Sequence, residues 1–186
     1  MQNVFTKIAK WSAALMGGIA LTACSKVVSF VEEVEIDGKT YQVERKEYFE
    51  KRPIQLEWQD WWLESEIYVK DSGLPPWRGG LKPMYIGKAN DGRLILVTLI
   101  LGSQNWEKRG RPSNWYVAFN LEKKRWNEIS VPLEFEGRPA SFMISSPLET
   151  GEKKLVTARE REFQNKVNAE GRMARIELKS SPSSGK

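Results

Sequence analysis

Apolar and polar residues alternate along several short stretches of this chain, and sequences that favour tight turns separate these stretches. In the first stretch, Val34 and Ile36 alternate with charged residues before Asp37-Gly38, and the alternation resumes at Tyr41. Strict alternation is typical of a strand with one buried face. The Asp-Gly pair supplies the positive φ angles that a two-residue hairpin turn requires, so residues 31–49 predict a β-hairpin.

Two more hairpins are predicted farther along the chain. Residues 83–102 contain the turn Asn90-Asp91-Gly92, and the run 94–101 after it is almost wholly apolar and rich in β-branched residues. Such a run predicts a central strand that is covered on both faces. Residues 114–133 show the same pattern, with alternating apolar residues before a charged turn.

The last part of the chain predicts a strand pair, a helix and a final strand. Residues 139–146 and 153–159 favour paired strands, and residues 158–170, which lack Gly and Pro, favour a helix that Gly171 would end. Residues 173–178 are typical of a last strand. Together the patterns predict a mainly β protein, a single antiparallel sandwich or small barrel-like domain built from hairpins with one C-terminal helix.

The first 23 residues differ from the rest of the chain. Lys7 and Lys10 precede an uncharged, apolar segment at residues 11–23. That segment is too short for a membrane-spanning helix, which needs roughly 20 apolar residues. A positive region followed by about 7–15 apolar residues is typical of a secretory signal peptide. The sequence therefore predicts export.

The end of this segment, Leu21-Thr22-Ala23-Cys24, resembles the lipobox of bacterial lipoproteins. The resemblance implies cleavage between Ala23 and Cys24, a diacylglyceryl group on the Cys24 thiol and an acylated Cys24 amine. Two or more acyl chains anchor a protein stably in a membrane. Ser25 stands where an Asp would retain a lipoprotein at the inner membrane in the enterobacterial sorting pattern. The resemblance thus implies an outer-membrane anchor in a Gram-negative envelope, with the domain facing the periplasm.

These observations divide the chain into four parts. Residues 1–23 are expected to be a cleaved signal peptide, residues 24–30 a lipidated N-terminus with a short tether, residues 31–179 a single β-rich domain, and residues 180–186 a disordered tail. Cleavage removes two lysines, so the net charge falls from +5 to +3. With this weak charge and an exported domain, we expect no nucleic-acid partner.

The residue types present exclude much enzyme chemistry. The chain has no histidine and one cysteine, which excludes a His-based triad, a histidine-containing zinc site and an internal disulfide. It also lacks a nucleotide-binding glycine loop, a Gly-x-Ser-x-Gly elbow and an Asp-rich calcium loop. We therefore expect no catalytic site, no metal and no cofactor apart from the lipid on Cys24.

The chain has eight tryptophans, and four of them raise specific questions. Trp58, Trp61 and Trp62 would share one face of a helix, whereas on a strand only Trp58 and Trp62 would share a face. We interpret Trp58 and Trp62 as core anchors, because aromatic rings bury large apolar areas. Trp77 follows two prolines and precedes Arg78 and two glycines, which predicts a loop. There it would be either a lid over the core or a contact residue.

A basic, aromatic stretch provides the other candidate contact residues. Lys108, Arg109 and Arg111 follow Trp106 closely, in a sequence that Gly110 and Pro112 mark as a loop. Aromatic residues and arginine are favoured at protein interfaces. We therefore predict that a partner contacts the side chains of Trp77, Arg78, Trp106, Lys108, Arg109 and Arg111.

The function predicted from these features is a non-catalytic binding module held at a membrane by acylated Cys24. Its partner would be an envelope protein, and the module would be either an envelope assembly factor or an immunity protein against a periplasm-delivered toxin. The alternative is a glycan- or peptidoglycan-binding lipoprotein, in which exposed tryptophans stack on sugar rings beside Asp60 or Asn105. An enzyme that uses carboxylates such as Asp60 and Glu64 ranks third, because two carboxyls would have to converge in a cleft.

Overall fold

Two β-sheets pack face to face in a computed structural model of the chain, which describes residues 25–54, 57–101, 103–144, 155–168 and 175–178. The described elements, in chain order, are β1 (Ser25–Ile36), β2 (Lys39–Ile54), β3 (Glu57–Val69), β4 (Trp77–Gly79), β5 (Lys82–Lys88), β6 (Leu94–Leu99), α1 (Ser103–Lys108), β7 (Tyr116–Glu122), β8 (Arg125–Ile129), a 3-10 turn (Leu133–Phe135), β9 (Leu155–Val156) and α2 (Ala158–Asn168). The prediction of a mainly β protein is confirmed. The two separate sheets form a sandwich and not a closed barrel.

The first sheet has the strand order β4-β3-β2-β1-β9. Asp37 and Gly38 join β1 to β2 with φ angles of 54° and 75°, so the predicted Asp-Gly hairpin forms with both turn residues at positive φ. Strand β3 runs antiparallel to β2, so the tryptophan-rich stretch is a strand and not a helix. Strand β9 pairs with β1 in parallel, at Val31–Leu155, which departs from the antiparallel arrangement that was predicted.

The second sheet has the order β5-β6-β7-β8, with antiparallel neighbours throughout. The predicted turn around Asp91 joins β5 to β6, and Lys123-Lys124 joins β7 to β8. Residues 95–99 of β6 are all buried. Strand β6 therefore is the central strand covered on both faces that its apolar sequence predicted.

The main core lies between the two sheets. Residues of the first sheet, such as Val34 and Ile67, pack there against residues of the second, such as Ile86 and Leu96. A second cluster covers the outer face of the second sheet and includes Phe135. Alternation therefore places one face of the first sheet in the core, while continuous apolar runs place both faces of the second sheet in contact with other residues.

The turns of the β1–β2, β5–β6 and β7–β8 hairpins lie at one end of the sandwich. Lys88, the last residue of β5, forms an ion pair of 2.5 Å between its Nζ and the Oδ2 of Asp37, so the β5–β6 turn lies beside the β1–β2 turn. The register of β6 with β7 brings the Lys123-Lys124 turn to this same end. We call it the turn end, and we call the opposite end, where β1 begins, the Ser25 end.

Several predicted boundaries are wrong or fall outside the described residues. Residues 25–30, expected to be a tether, are the first half of β1, because they pair with β2 along their whole length. Residues 139–144 do not form a strand with β9, which pairs with β1 instead, and the expected last strand is reduced at Arg175 to one bridge with Pro139. The C-terminal helix is confirmed as α2. Residues 1–24, Gly171 and residues 180–186 lie outside the described residues.

Neither helix among the described residues is long and apolar enough to cross a membrane.

Candidate functional site

Four charged side chains are buried together between the two sheets, three on the inner face of the first sheet and one from the second. They are Glu32 on β1, Arg45 and Glu47 on β2, and Lys82 at the start of β5. Arg45 Nη1 lies 2.8 Å from Glu32 Oε1, and Arg45 Nε donates to Glu47 Oε1. Lys82 Nζ lies 3.1 Å from Glu47 Oε2, which links the two sheets. We call these four residues the buried charge layer, and their formal charges sum to zero.

Backbone and aromatic groups supply further hydrogen bonds to this layer, although Arg45 Nη2 has no hydrogen-bond partner among the described residues. Arg45 Nη1 donates to the carbonyl oxygen of Met143 at 2.6 Å, and the Met143 amide donates to Glu32 Oε2 at 2.7 Å. The indole nitrogen of Trp62 donates to Glu47 Oε2. A buried charge is tolerated only where it is paired and hydrogen-bonded, and these contacts meet that condition for both carboxylates.

Burial and ion pairing shift the pKa values within the layer in opposite directions. Burial opposes the charged form of Arg45, but Glu47 and Glu32 raise the pKa of the guanidinium above its ordinary value. Burial would raise the pKa of Glu47, but the charges of Arg45 and Lys82 hold it below its ordinary value. Burial, together with the nearby charge of Arg45, lowers the pKa of Lys82 to about 8. Glu47 is therefore kept ionised, and burial brings the pKa of Lys82 closer to neutrality.

The layer lies between two apolar clusters on the same sheet face. Val34 and Val43 belong to the main core on one side, and Phe30 and Phe49 to a smaller cluster on the other. A sequence signal for the layer exists, because Glu32 shares its strand parity with Val34 and therefore its face. The parity rule applied to all charged positions would have identified Glu32, Arg45 and Glu47 as inward-facing.

A pocket of about 330 Å³ opens at the Ser25 end, between the edge of β3 and α1. Strand β4 pairs with β3 only over residues 65–67, so the edge of β3 beside the pocket has no strand partner among the described residues. The register of β2 and β3 shifts there, and Leu63 is the extra residue that bulges outward. The pocket is lined by Arg52, Trp61, Trp62, Leu63, Leu101, Asn105 and Lys108.

The pocket combines aromatic surface with positive charge. Trp61 is 39% exposed, and the guanidinium of Arg52 lies 5.1 Å from the centre of its ring. Arg52 also pairs with Glu50, whereas exposed Lys108 forms no ion pair with the residues that the structure describes. We call the seven lining residues the basic aromatic pocket. Its chemistry suits a group that carries negative charge beside an apolar surface.

The structure corrects the prediction for Trp77. Its side chain is only 3% exposed, it begins β4, and its ring packs edge-on against Phe119 at a centroid distance of 5.5 Å. Pairing of Trp77 with Ile67 of β3 turns a sequence that looks like a loop into a short strand. Trp77 is therefore a core residue and cannot contact a partner through its side chain.

The other predicted contact residues lie on two surfaces. Arg78 is exposed on the outer face of the first sheet, where it pairs with Glu64 and lies over the ring of Tyr48 at 4.4 Å. Trp106, Lys108, Arg109 and Arg111 lie on α1 and the loop after it. The structure thus does not bring the six predicted residues together, and only Lys108 lines the basic aromatic pocket.

Internal contacts occupy most of the α1 loop. The Trp106 ring stacks on Trp115 at 5.6 Å with an angle of 20° between the rings, and its indole nitrogen donates to the Pro112 carbonyl at 3.1 Å. Arg109 Nη1 lies 2.9 Å from Glu128 Oε1, and Arg111 Nη2 lies 3.2 Å from Glu107 Oε1. These pairs hold the loop shape, and Lys108 keeps its charge available.

The two tryptophans of β3 that were interpreted as core anchors have different outcomes. Trp62 is half-buried and packs against the smaller apolar cluster, while the Trp58 side chain lies outside the described residues.

The carboxylates considered for catalysis do not converge in a cleft among the described residues. Asp60 pairs with Lys26 at 2.9 Å. Glu66 accepts a hydrogen bond from the Tyr48 hydroxyl at 2.8 Å, which holds the pKa of Glu66 below its usual value. Within the described ranges, no three Asp, Glu or Cys side chains are grouped so as to hold a metal ion.

Compared with models of known protein families, with curated proteins and with solved structures, the chain matches none of them.

Proposed function

We propose that the mature chain is a non-catalytic binding module, held at the outer membrane of a Gram-negative bacterium by an acylated Cys24 and facing the periplasm. Its partner is an envelope protein that docks in the basic aromatic pocket. The composition of that pocket supports this proposal. Trp61 and Leu63 offer apolar surface, and Lys108 offers a charge without an ion-pair partner among the described residues. An acidic side chain next to an apolar one on the partner would complement both features.

The geometry favours a protein over a glycan. A sugar-binding platform needs exposed, coplanar tryptophan faces. Trp106 and Trp115 instead cover each other at 5.6 Å, and Arg52 lies over the Trp61 ring. Glycan binding therefore remains the alternative proposal, and a role as assembly factor or as immunity protein is equally consistent with the pocket.

Fractionation of cells tests the anchor. We expect Cys24→Ser to release the protein into the soluble periplasmic fraction, because the variant lacks the thiol that would carry the lipid. The control is the unchanged chain, which should stay with the outer membrane. Full retention of Cys24→Ser in the membrane would contradict the proposed anchor.

Crosslinking of the lipidated protein in its own envelope, followed by mass spectrometry, tests the pocket. A specific partner should be lost when Trp61→Ala is combined with Lys108→Ala. It should be retained when Lys123→Ala is combined with Lys124→Ala, because that exposed pair lies at the turn end. If both double variants capture the same proteins, the pocket is not the docking site. If only peptidoglycan fragments depend on Trp61, the alternative proposal is correct.

A further inference from the structure

The β2–β3 hairpin extends farther toward the Ser25 end than β1 does. Ser25 pairs with Glu50, but β2 and β3 remain paired as far as Ile54 and Glu57. The four residues of β2 beyond Glu50 add about 13 Å at roughly 3.3 Å per residue. Cys24 immediately precedes Ser25, so the hairpin passes the anchoring residue by on the order of 10 Å.

We propose that the described part of this overhang, residues 51–53 and 59–60, lies in the phospholipid headgroup layer of the membrane that holds Cys24. The inference rests on the proposed function, because it takes Cys24 to be the acylated residue. Acyl chains on Cys24 bring the first residue of the sheet to the membrane surface. The headgroup layer is roughly 5–8 Å thick on each side of the bilayer. A hairpin that projects beyond the anchor along the strand direction therefore enters that layer.

The side chains of the overhang suit this layer. Lys51 is exposed and forms no ion pair within the described part of the chain, so its ammonium is available to lipid phosphates. Arg52 lies over the Trp61 ring, and tryptophan with flanking basic residues is enriched at membrane–water boundaries. Two acidic neighbours whose side chains the structure describes are already paired, Asp60 with Lys26 and Glu50 with Arg52.

The same placement gives the sandwich a definite orientation. The basic aromatic pocket shares Arg52 with the overhang and has Trp61 level with Ser25, so it would open at the boundary between the headgroups and the periplasm. Lys123 and Lys124 lie at the turn end, away from the membrane. Both are exposed lysines in a hairpin, as Lys51 is, so they serve as internal controls.

Lysine labelling on vesicles tests the contact. The mature chain is coupled through the thiol of Cys24, its sole cysteine, to a maleimide lipid in vesicles of phosphatidylcholine and phosphatidylglycerol, which carry no amine of their own. A water-soluble acetylating reagent then modifies accessible lysines, and mass spectrometry measures the rate at each site. We expect Lys51 to react several-fold more slowly on vesicles than in solution, with Lys123 and Lys124 unchanged. Equal rates for Lys51 in both states would overturn the proposal.

A fluorescence measurement provides an independent readout. Brominated phospholipids in the coupled vesicles should quench part of the tryptophan emission. Trp58→Phe combined with Trp61→Phe should abolish most of that quenching, because Trp58 pairs with Pro53 within the overhang and Trp61 lies level with Ser25. Trp126→Phe, near the turn end, should leave it intact. Quenching that is unaffected by the double replacement would also overturn the proposal. Because coupling to the vesicle is chemical, these outcomes are independent of the Cys24→Ser fractionation, which alone decides whether cells acylate the protein.

Discussion

Arg45 and Glu32, on neighbouring strands, form an ion pair of 2.8 Å between Nη1 and Oε1 in which neither side chain reaches solvent. Moving two charges out of water costs several kcal/mol per ion, and pairing offsets that cost only when the remaining polar atoms are also satisfied. Glu47 and the Met143 carbonyl supply those contacts for Nε and Nη1 of Arg45, and Lys82 supplies one for Glu47, while Arg45 Nη2 has no hydrogen-bond partner among the described residues. The buried charge layer is therefore sensitive to the loss of any one member.

Arg45→Met should be strongly destabilising. The substitution leaves Glu32 without its ion-pair partner and Glu47 with Lys82 alone, so we expect the free energy of unfolding to fall by about 3–5 kcal/mol. Urea denaturation followed by circular dichroism measures this loss. Lys70→Met, which removes a surface pair with Glu44, is the matched control and should cost no more than about 1 kcal/mol. Equal losses in the two variants would show that the layer is not effectively buried.

Replacing the whole layer by apolar residues should recover much of the lost stability. The combination of Glu32→Leu, Arg45→Met, Glu47→Leu and Lys82→Met leaves no unpaired charge in the layer. We therefore expect the quadruple variant to be more stable than Arg45→Met alone. A quadruple variant less stable than the single variant would contradict the assigned cause.

Trp77→Ala should unfold the protein at a much lower temperature. The ring is buried between the sheets, and truncation of a buried tryptophan costs about 3–5 kcal/mol. Trp115→Ala is the control, because Trp115 is 39% exposed. A scanning measurement of Tm should separate the two clearly. A Tm for Trp77→Ala near that of the unchanged protein would return Trp77 to the role of a surface contact.

Lys82 should make stability rise with pH on the alkaline side. Burial lowers the pKa of Lys82 to about 8 from an ordinary 10.5, so between these values the unfolded chain binds more protons at this site than the folded chain. The stability contributed through Lys82 therefore increases from about pH 8 to about pH 10.5. Urea denaturation of the unchanged protein and of Lys82→Met at about pH 7.5 and about pH 9.5 isolates this contribution. The free energy of unfolding of the unchanged protein, relative to that of Lys82→Met, should be larger at the higher pH. A relative free energy that does not change with pH would contradict a lowered pKa of Lys82.

The Lys123-Lys124 turn should be improved by Asn-Gly. Both lysines adopt positive φ, 49° and 63°, which costs a residue with a Cβ roughly 1–2 kcal/mol. Lys123→Asn with Lys124→Gly supplies the residues that this turn favours, so we expect the free energy of unfolding to rise by about 1 kcal/mol in urea denaturation.

Gly38→Ala should have the opposite effect, because Gly38 has a φ of 75° that suits glycine, and the space around it is open. It should lose about 1 kcal/mol through the backbone alone.

The sequence predicts the hairpins well because their signals are local. Asp37-Gly38 and the turn at Asp91 carry their backbone preferences in the turn residues themselves, and both form as expected. For Trp77, the two prolines and two glycines around it indicate a loop and do not decide between a lid over the core and a contact residue. The strand it begins exists only through pairing with Ile67, and that pairing is a tertiary event.

The site is less accessible to prediction because its parts come from distant segments. Arg45 and the Met143 carbonyl are 98 residues apart, and Lys82 comes from the other sheet. Strand parity indicates that Glu32 and Arg45 face inward, but it does not indicate what they meet there. The pocket depends on a bulge at Leu63, and no turn residue or glycine in the sequence predicts that bulge.

The start of β1 at Ser25 would limit the reach of the proposed binding module. If Cys24 is acylated as proposed, only the peptide bond to Ser25 separates the lipidated residue from the sheet, and the module would move only in the plane of its membrane. It would extend from the membrane surface by about the length of β1, which is about 40 Å for its 12 residues at roughly 3.3 Å each. On that proposal, partners embedded in or resting on the same membrane would come within that reach, and partners fixed deeper in the cell wall would have to approach the module.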